Sequence, residues 1–280
     1  MGLLMTDNLL SVQELSVSYN GQCVLQPVSF DLRKGERLAL IGESGSGKTT
    51  LSLAIAGLLP DAARSEGAIR FPAFAEKAVL GRDIGVVFQD PAGSLDPMMR
   101  VGDQIAEVIV THLKTSWAEA RQQAIMLMEN VQIPDCNKRS RSYPHEFSGG
   151  QQQRLAIAAA LAAHPHLLIA DEPTSALDTV VQKHIMTLLD NLVRSRGLSL
   201  IFVTHDIALA SQLADKIAVL YRGQMVEFGT AAQIISAPQH AYTKALLATH
   251  IGLDWRKQPR LPEINGFAES AGFAERDGAL

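Results

Sequence analysis

Apolar and polar residues alternate along Leu10–Tyr19, the pattern of a strand with one buried face. Val24–Leu32 repeats it. After the turn at Lys34-Gly35, Arg37–Ile41 is a third and more uniformly apolar strand. The period then changes to that of a helix over Thr49–Leu59, which Pro60 is expected to end. Ile84–Phe88 reads as a further short strand. Over residues 90–147 the strand signal disappears: Val101–His112 and Trp117–Val131 are helical in period, and Ser142–His145 is turn-like. Alternation of element type then resumes, with helix Gln151–Ala163, strand Leu167–Ala170, helix Thr179–Arg196, strand Leu198–Thr204 and helix Ile207–Ala214. Ile217–Tyr221 and Gln224–Phe228 flank Arg222-Gly223 as a hairpin. Strands that alternate with helices of this length predict an α/β domain, its sheet mainly parallel with helices on both faces.

The expected organisation is one domain over residues 8–253, with a helical subdomain, 90–147, inserted in it, followed by a tail, 254–280. That tail carries Pro259, Pro262 and two copies of Gly-Phe-Ala-Glu, at Gly266–Glu269 and Gly272–Glu275. It reads either as a loose terminus or as a docking repeat.

Composition narrows the function classes. With 47% hydrophobic and 19% charged residues, the 280-residue chain is globular in type. Its 25 Lys+Arg against 29 Asp+Glu give a net charge of −4, which argues against a nucleic-acid partner. The 2 cysteines, Cys23 and Cys136, have no metal-ligand spacing and fit a reducing compartment. No run approaches the ~18 apolar residues of a membrane span: Leu155–Ala163 stops at His164-Pro165. The N-terminus lacks a basic region and a cleavage site, so no signal peptide is expected. Work at a membrane would need other chains to do the spanning.

The segment Gly42-Glu43-Ser44-Gly45-Ser46-Gly47-Lys48-Thr49 fits G-x-x-x-x-G-K-[ST], follows a strand and opens a helix. Glycines let successive backbone N–H groups turn inward around phosphate oxygens, and the helix adds its positive N-terminal end. Lys48 would reach the β- and γ-phosphates of a nucleoside triphosphate, Thr49 would ligate Mg²⁺, and Thr50 continues the cradle. Hydrolysis also needs a carboxylate for the metal and a group to orient water. The apolar run ending in Asp171-Glu172 delivers both at a strand's C-terminal end, where open α/β sheets bind ligands. Asp171 would complete the metal shell and Glu172 would act as general base. Ser148-Gly149-Gly150-Gln151 is a capping-box start with two glycines, and so a second anion site.

Phe147-Ser148-Gly-Gly-Gln-Gln-Gln-Arg154 resembles the signature motif of ATP-binding cassette (ABC) proteins, with Phe147 where Leu is usual. The resemblance covers about residues 10–250. It implies a P-loop NTPase core with a mainly parallel sheet, an N-terminal antiparallel β subdomain and an inserted α-helical subdomain. It further implies head-to-tail dimers in which each ATP lies between one subunit's P-loop and the other's signature turn. By the same resemblance Tyr19 stacks on adenine, although a strand aromatic in the core is the other reading. Gln89 corresponds to a loop residue that touches Mg²⁺ and the attacking water, Asp178 to a loop crossing the dimer interface, and His205 to a switch histidine at the γ-phosphate. Phe88–Pro97, Tyr143-Pro-His145, Pro173–Gln182 and Ala237–Leu247 are similar to the dipeptide, oligopeptide and nickel import branch. No cysteine follows Cys136, so the iron–sulfur cluster of many peptide members cannot be built, which leans toward nickel or metallophore import. The implied partners are two membrane permeases, a second similar ATPase subunit and an extracytoplasmic solute-binding protein, with this chain on the cytoplasmic face of the inner membrane. The competing classes are a soluble ABC ATPase of DNA repair or translation, and a non-hydrolysing regulatory module.

Overall fold

A computed structural model describes residues 7–74, 77–174 and 179–250. Strands β1 (Asn8–Tyr19), β2 (Gln22–Arg33) and β4 (Ala63–Arg70) form an antiparallel sheet in the order β2-β1-β4. The larger, six-stranded sheet runs β5-β6-β7-β3-β8-β9, built from β3 (Arg37–Ile41), β5 (Ile84–Val87), β6 (Leu167–Asp171), β7 (Ser199–Thr204), β8 (Lys216–Tyr221) and β9 (Gln224–Thr230). All its pairings are parallel except that of β8 with β9.

Period-two alternation divides the central strands between two cores. Leu38, Leu40, Leu167, Ile169, Ile201, Val203, Ala218 and Leu220 face the small sheet and helix α1 (Lys48–Ala56). Ala39, Ile41, Leu168, Ala170, Leu200, Phe202, Ile217 and Val219 face the helices α6 (Gly149–Ala160), α7 (Thr179–Arg196) and α8 (Ile207–Leu213). The sequence pattern predicted helices on both faces. On one face the helix is α1, and the expected antiparallel β subdomain packs over it as a second sheet. Strands buried on both sides need continuous apolar runs, which β6 and β7 supply.

Between β5 and α6 lie α2 (Pro91–Ser94), α3 (Val101–Leu113), α4 (Trp117–Asn130), α5 (Cys136–Arg139) and one 3-10 turn (Pro144–Glu146). Val101, Ile105 and Ile109 of α3 meet Ala120, Ala124 and Met128 of α4 at four-residue spacing. Ser116 starts α4 with a reciprocal capping box to Glu119.

Several boundaries differ from expectation. Helix α1 stops at Gly57, not at Leu59 before Pro60. Gly57 takes φ 71°, its N–H donates to the Ala54 carbonyl, and Leu58 N–H donates to Leu53, a glycine stop. Helix α6 spans Gly149–Ala160 in place of Gln151–Ala163, since Ser148 caps it two residues earlier. Strand β5 ends at Val87, before Phe88. Strand β4 was not expected, because its sequence ARSEGAIR is polar and mostly exposed, an edge strand held by pairing rather than burial. Two short helices, α9 (Ala231–Ser236) and α10 (Ala241–His250), were also not expected.

Candidate nucleotide-binding and hydrolytic site

Strand order brings the chemistry together. β7 lies between β6 and β3, and register aligns Asp171 with Val203 and Ile41 with Thr204. The three strands therefore end level, and their C-terminal loops open side by side. β3 leads into Gly42–Thr49, β6 delivers Asp171 and Glu172, and β7 is followed by His205.

Gly42, Gly45 and Gly47 have φ of 148°, 78° and 97°, so the loop's turns need glycine. At Gly42 a Cβ would sit 2.1 Å from the Leu220 carbonyl oxygen. The loop thus closes tightly over the end of β8. Lys48 is buried, and its ammonium donates to the carbonyls of Gly42 (2.8 Å) and Glu43 (2.7 Å). Burial lowers the Lys48 pKa, and the charges of Glu172, Asp171 and Glu43 act the other way. The Ser46 hydroxyl is buried in the cradle and, among the described residues, has no hydrogen-bond partner, an exception to the rule that buried polar atoms are paired. Glu43, Ser44, Gly45 and Thr49 are exposed, and Thr50 is half-buried.

Thr49 Oγ1 donates to Asp171 Oδ1 at 3.2 Å. Burial pushes the Asp171 carboxyl up; the Thr49 bond lowers it, Glu172 raises it and Lys48 lowers it. A hydroxyl and a carboxylate this close are hard oxygen donors suited to Mg²⁺, which takes one or two protein ligands and completes its shell with phosphate oxygens and water. Among the described residues no group of three or more His, Cys, Asp or Glu could form an all-protein metal cage. Glu172 takes φ 42°, rare for a residue with a side chain, and its N–H donates to Val203. His205 Nδ1 stands 3.9 Å from Glu172 Oε2, with the ring 61% exposed. An acid and an imidazole thus share the mouth beside the metal donors.

The other expected residues sit on other elements. Gln89 is exposed, two residues beyond β5. Tyr19 ends β1 and packs partly against the core between the sheets while remaining half-exposed. Ser148 and Gln151 form a reciprocal capping box, with Gln151 N–H donating to Ser148 Oγ and Ser148 N–H to Gln151 Oε1. The turn's side-chain partners belong to the helical region: Arg139 donates to Gln151 Oε1 at 3.3 Å and lies over the Phe147 ring. Gly149 is exposed, and a Cβ at Gly150 would meet Val181 of α7 at 2.7 Å. Asp178 and the rest of its loop, like residues 254–280, lie outside the described residues.

One residue at the cradle was not singled out from the sequence. Tyr242, the second residue of α10, accepts the N–H of Glu43 on its hydroxyl at 2.9 Å. The signal for it lay in the Ala237–Leu247 segment, which resembles the import branch without naming a role for this side chain.

Comparisons with known proteins bear on the family and the fold. Residues 25–175 match the family described as ABC transporter. The oligopeptide transport ATP-binding protein OppD of Bacillus subtilis is 44% identical over 278 residues, 94% of this chain and 78% of that protein. The peptidoglycan transport ATP-binding protein YejF of Agrobacterium fabrum is 46% identical over 257 residues; the match takes in 87% of this chain but 47% of that longer protein. A dimeric ATP-binding cassette in a post-hydrolysis state, bound to ADP and phosphate, superposes with a TM-score of 0.68 at 27% identity, over 79% of this chain and 98% of its own.

Proposed function

This chain belongs to the ABC transporter family of ATPases, and from that premise we propose that it is the ATP-driven motor subunit of a binding-protein-dependent importer. The observation that carries the reading is the junction of Lys48, Thr49 and Asp171 at the ends of neighbouring strands. A cradle lysine, a metal hydroxyl and a metal carboxylate meet there in one water-accessible mouth.

In this reading the Gly42–Thr50 backbone wraps the phosphates and Lys48 exchanges its two carbonyl partners for phosphate oxygens. Mg²⁺, held by Thr49 and Asp171, and approached by Gln89, would neutralise charge on the β- and γ-phosphates. Glu172 accepts a proton from the attacking water, and His205, with Nδ1 3.9 Å from that carboxylate, would reach toward the terminal phosphate. Tyr19 offers its exposed face to the adenine ring. Ser148, Gly149, Gly150 and Gln151 serve the nucleotide of a partner subunit, with Asp178 at the same interface. The bond from Arg139 of the helical region to Gln151, and the exposure of Ser148 and Gly149, support that division for the turn.

Residues 90–147 would form the surface that meets the permease. Two permeases, a second ATPase subunit and an extracytoplasmic solute-binding protein complete the system, at the cytoplasmic face of the inner membrane. Among the described residues no helix is long and apolar enough to cross a membrane. Small peptides are the favoured cargo, since the matched relatives bear oligopeptide and peptidoglycan transport names; nickel or a metal chelate is the other cargo.

Co-expression with its permeases, reconstitution into vesicles and measurement of ATP-dependent uptake test the whole reading. Uptake of dipeptides and oligopeptides without nickel uptake is expected. An ATPase that never associates with a membrane permease would overturn the importer assignment.

A further inference from the structure

We propose that Tyr242 is a positioning residue of the phosphate cradle: by accepting the Glu43 N–H it orients the Gly42–Glu43 peptide whose carbonyl holds Lys48 ready for ATP. This rests on reading the cradle as the ATP site. The N–H of Glu43 and the carbonyl of Gly42 belong to one planar peptide group. Tyr242 Oη draws on the N–H end at 2.9 Å, and the Lys48 ammonium bonds the C=O end at 2.8 Å. Lys48 leaves this carbonyl when phosphate binds, so the Tyr242 bond acts by fixing the plane of the amide, which keeps the loop in its binding shape beforehand. Rotation of that peptide would carry away the carbonyl on which Lys48 rests.

The surroundings make Tyr242 a fixed point. Its side chain is 4% exposed and its ring stacks on Tyr221 with centroids 4.2 Å apart. Its own N–H donates to His240 Nδ1 at 3.2 Å. Burial raises its pKa to about 12, so the phenol stays neutral across the physiological range. The ring partner Tyr221 ends β8, whose Leu220 carbonyl presses on Gly42, and the next hairpin residue but one, Gly223, donates its N–H to the Ser46 carbonyl at 3.2 Å. The cradle is therefore braced from β8, its hairpin and α10 together. Of these three braces, the one from α10 is a side-chain hydroxyl. The chain passes through almost the whole domain between Glu43 and Tyr242, so the C-terminal helix closes over the first nucleotide element.

The test is Tyr242→Phe, which removes the hydroxyl and keeps the stacked ring, with Tyr221→Phe as a control. ATP affinity is measured with a fluorescent ATP analogue, kcat and KM by phosphate release, and folding by thermal melts without nucleotide. Tyr242→Phe should weaken ATP binding and raise KM by about three- to tenfold, the loss of one hydrogen bond. Its kcat should stay within about twofold, and its nucleotide-free melt should fall by no more than a few degrees, the cost of one hydrogen bond. Tyr221→Phe should bind ATP as the wild type does. Unchanged affinity in Tyr242→Phe, or equal weakening in Tyr221→Phe, overturns the proposal. So does a lowered melting temperature with normal affinity below it, the behaviour of a purely structural anchor. A wild-type protein that binds no ATP would sink the reading of the site itself, whereas wild-type binding equalled by Tyr242→Phe sinks only this inference.

Discussion

Glu172 is held in the left-handed region at φ 42°, a conformation that costs a residue with a side chain about 1–2 kcal/mol, at the position proposed to activate water. If it acts as the base, Glu172→Gln should retain ATP binding and reduce turnover by about 10²–10⁴-fold, measured as phosphate release at saturating ATP. Undiminished hydrolysis would remove that role. Lys48 rests on two carbonyls with carboxylates nearby, so Lys48→Ala should weaken ATP binding by about 10–100-fold in a fluorescence titration. Asp171 offers a sign that can be checked by pH. Burial raises its folded pKa above the unfolded value of about 3.9, so the folded state binds the proton more tightly. Its favourable contribution is present below the unfolded pKa and is lost as pH rises through the folded one. Asp171→Asn has no such loss and keeps an oxygen for the Thr49 bond. The nucleotide-free variant should therefore gain in melting temperature over the wild type as pH rises through that window, then hold a constant lead. A lead that shrinks with rising pH would contradict the burial argument.

At the scale of elements, legibility followed burial. Strands β6 and β7 are buried throughout, and their apolar runs marked them in the sequence. Strand β4 carries Arg64, Glu66 and Arg70 on an exposed edge and is defined by its pairing with β1, a partner far enough away that no local pattern announces it. Helix α1 showed the limit of Pro60 as a stop signal, because Gly57 could adopt the left-handed cap first. Strand β5 packs so closely on α6 that a Cβ at Gly85 would lie 2.3 Å from the Ala160 carbonyl oxygen. Gly85→Ala should therefore cost about 1–3 kcal/mol of stability, read from the urea midpoint. A neutral substitution would mean that the helix can withdraw from the sheet without loss.

For the molecule as a whole, the Ser148–Gln151 turn is capped, exposed at Ser148 and Gly149, and bonded through Gln151 to Arg139 of the helical region, and its proposed role toward a second subunit can be tested. Gly149→Asp would place a carboxylate at that helix N-terminus, where a terminal phosphate is proposed to sit. In the Glu172→Gln background with ATP, sedimentation should show a dimer that the Gly149→Asp substitution abolishes, while ATP affinity of the monomer stays within about threefold. Retention of the dimer would place the turn outside the interface. The local geometry was open to the sequence alone: Gly42–Thr49, Asp171-Glu172 and Ser148–Gln151 are short spacings whose backbone demands are met by neighbours in the chain. Tyr242 was not, nor was strand β4 of the small sheet. The hydroxyl and the Glu43 amide are joined only when β8 and α10 return to the first βα turn, and β4 exists only once β1 offers it an edge. Short-range patterns fix which groups can bind phosphate; long-range packing decides what holds those groups in place, because it brings together residues that exert no influence on one another until the chain is folded.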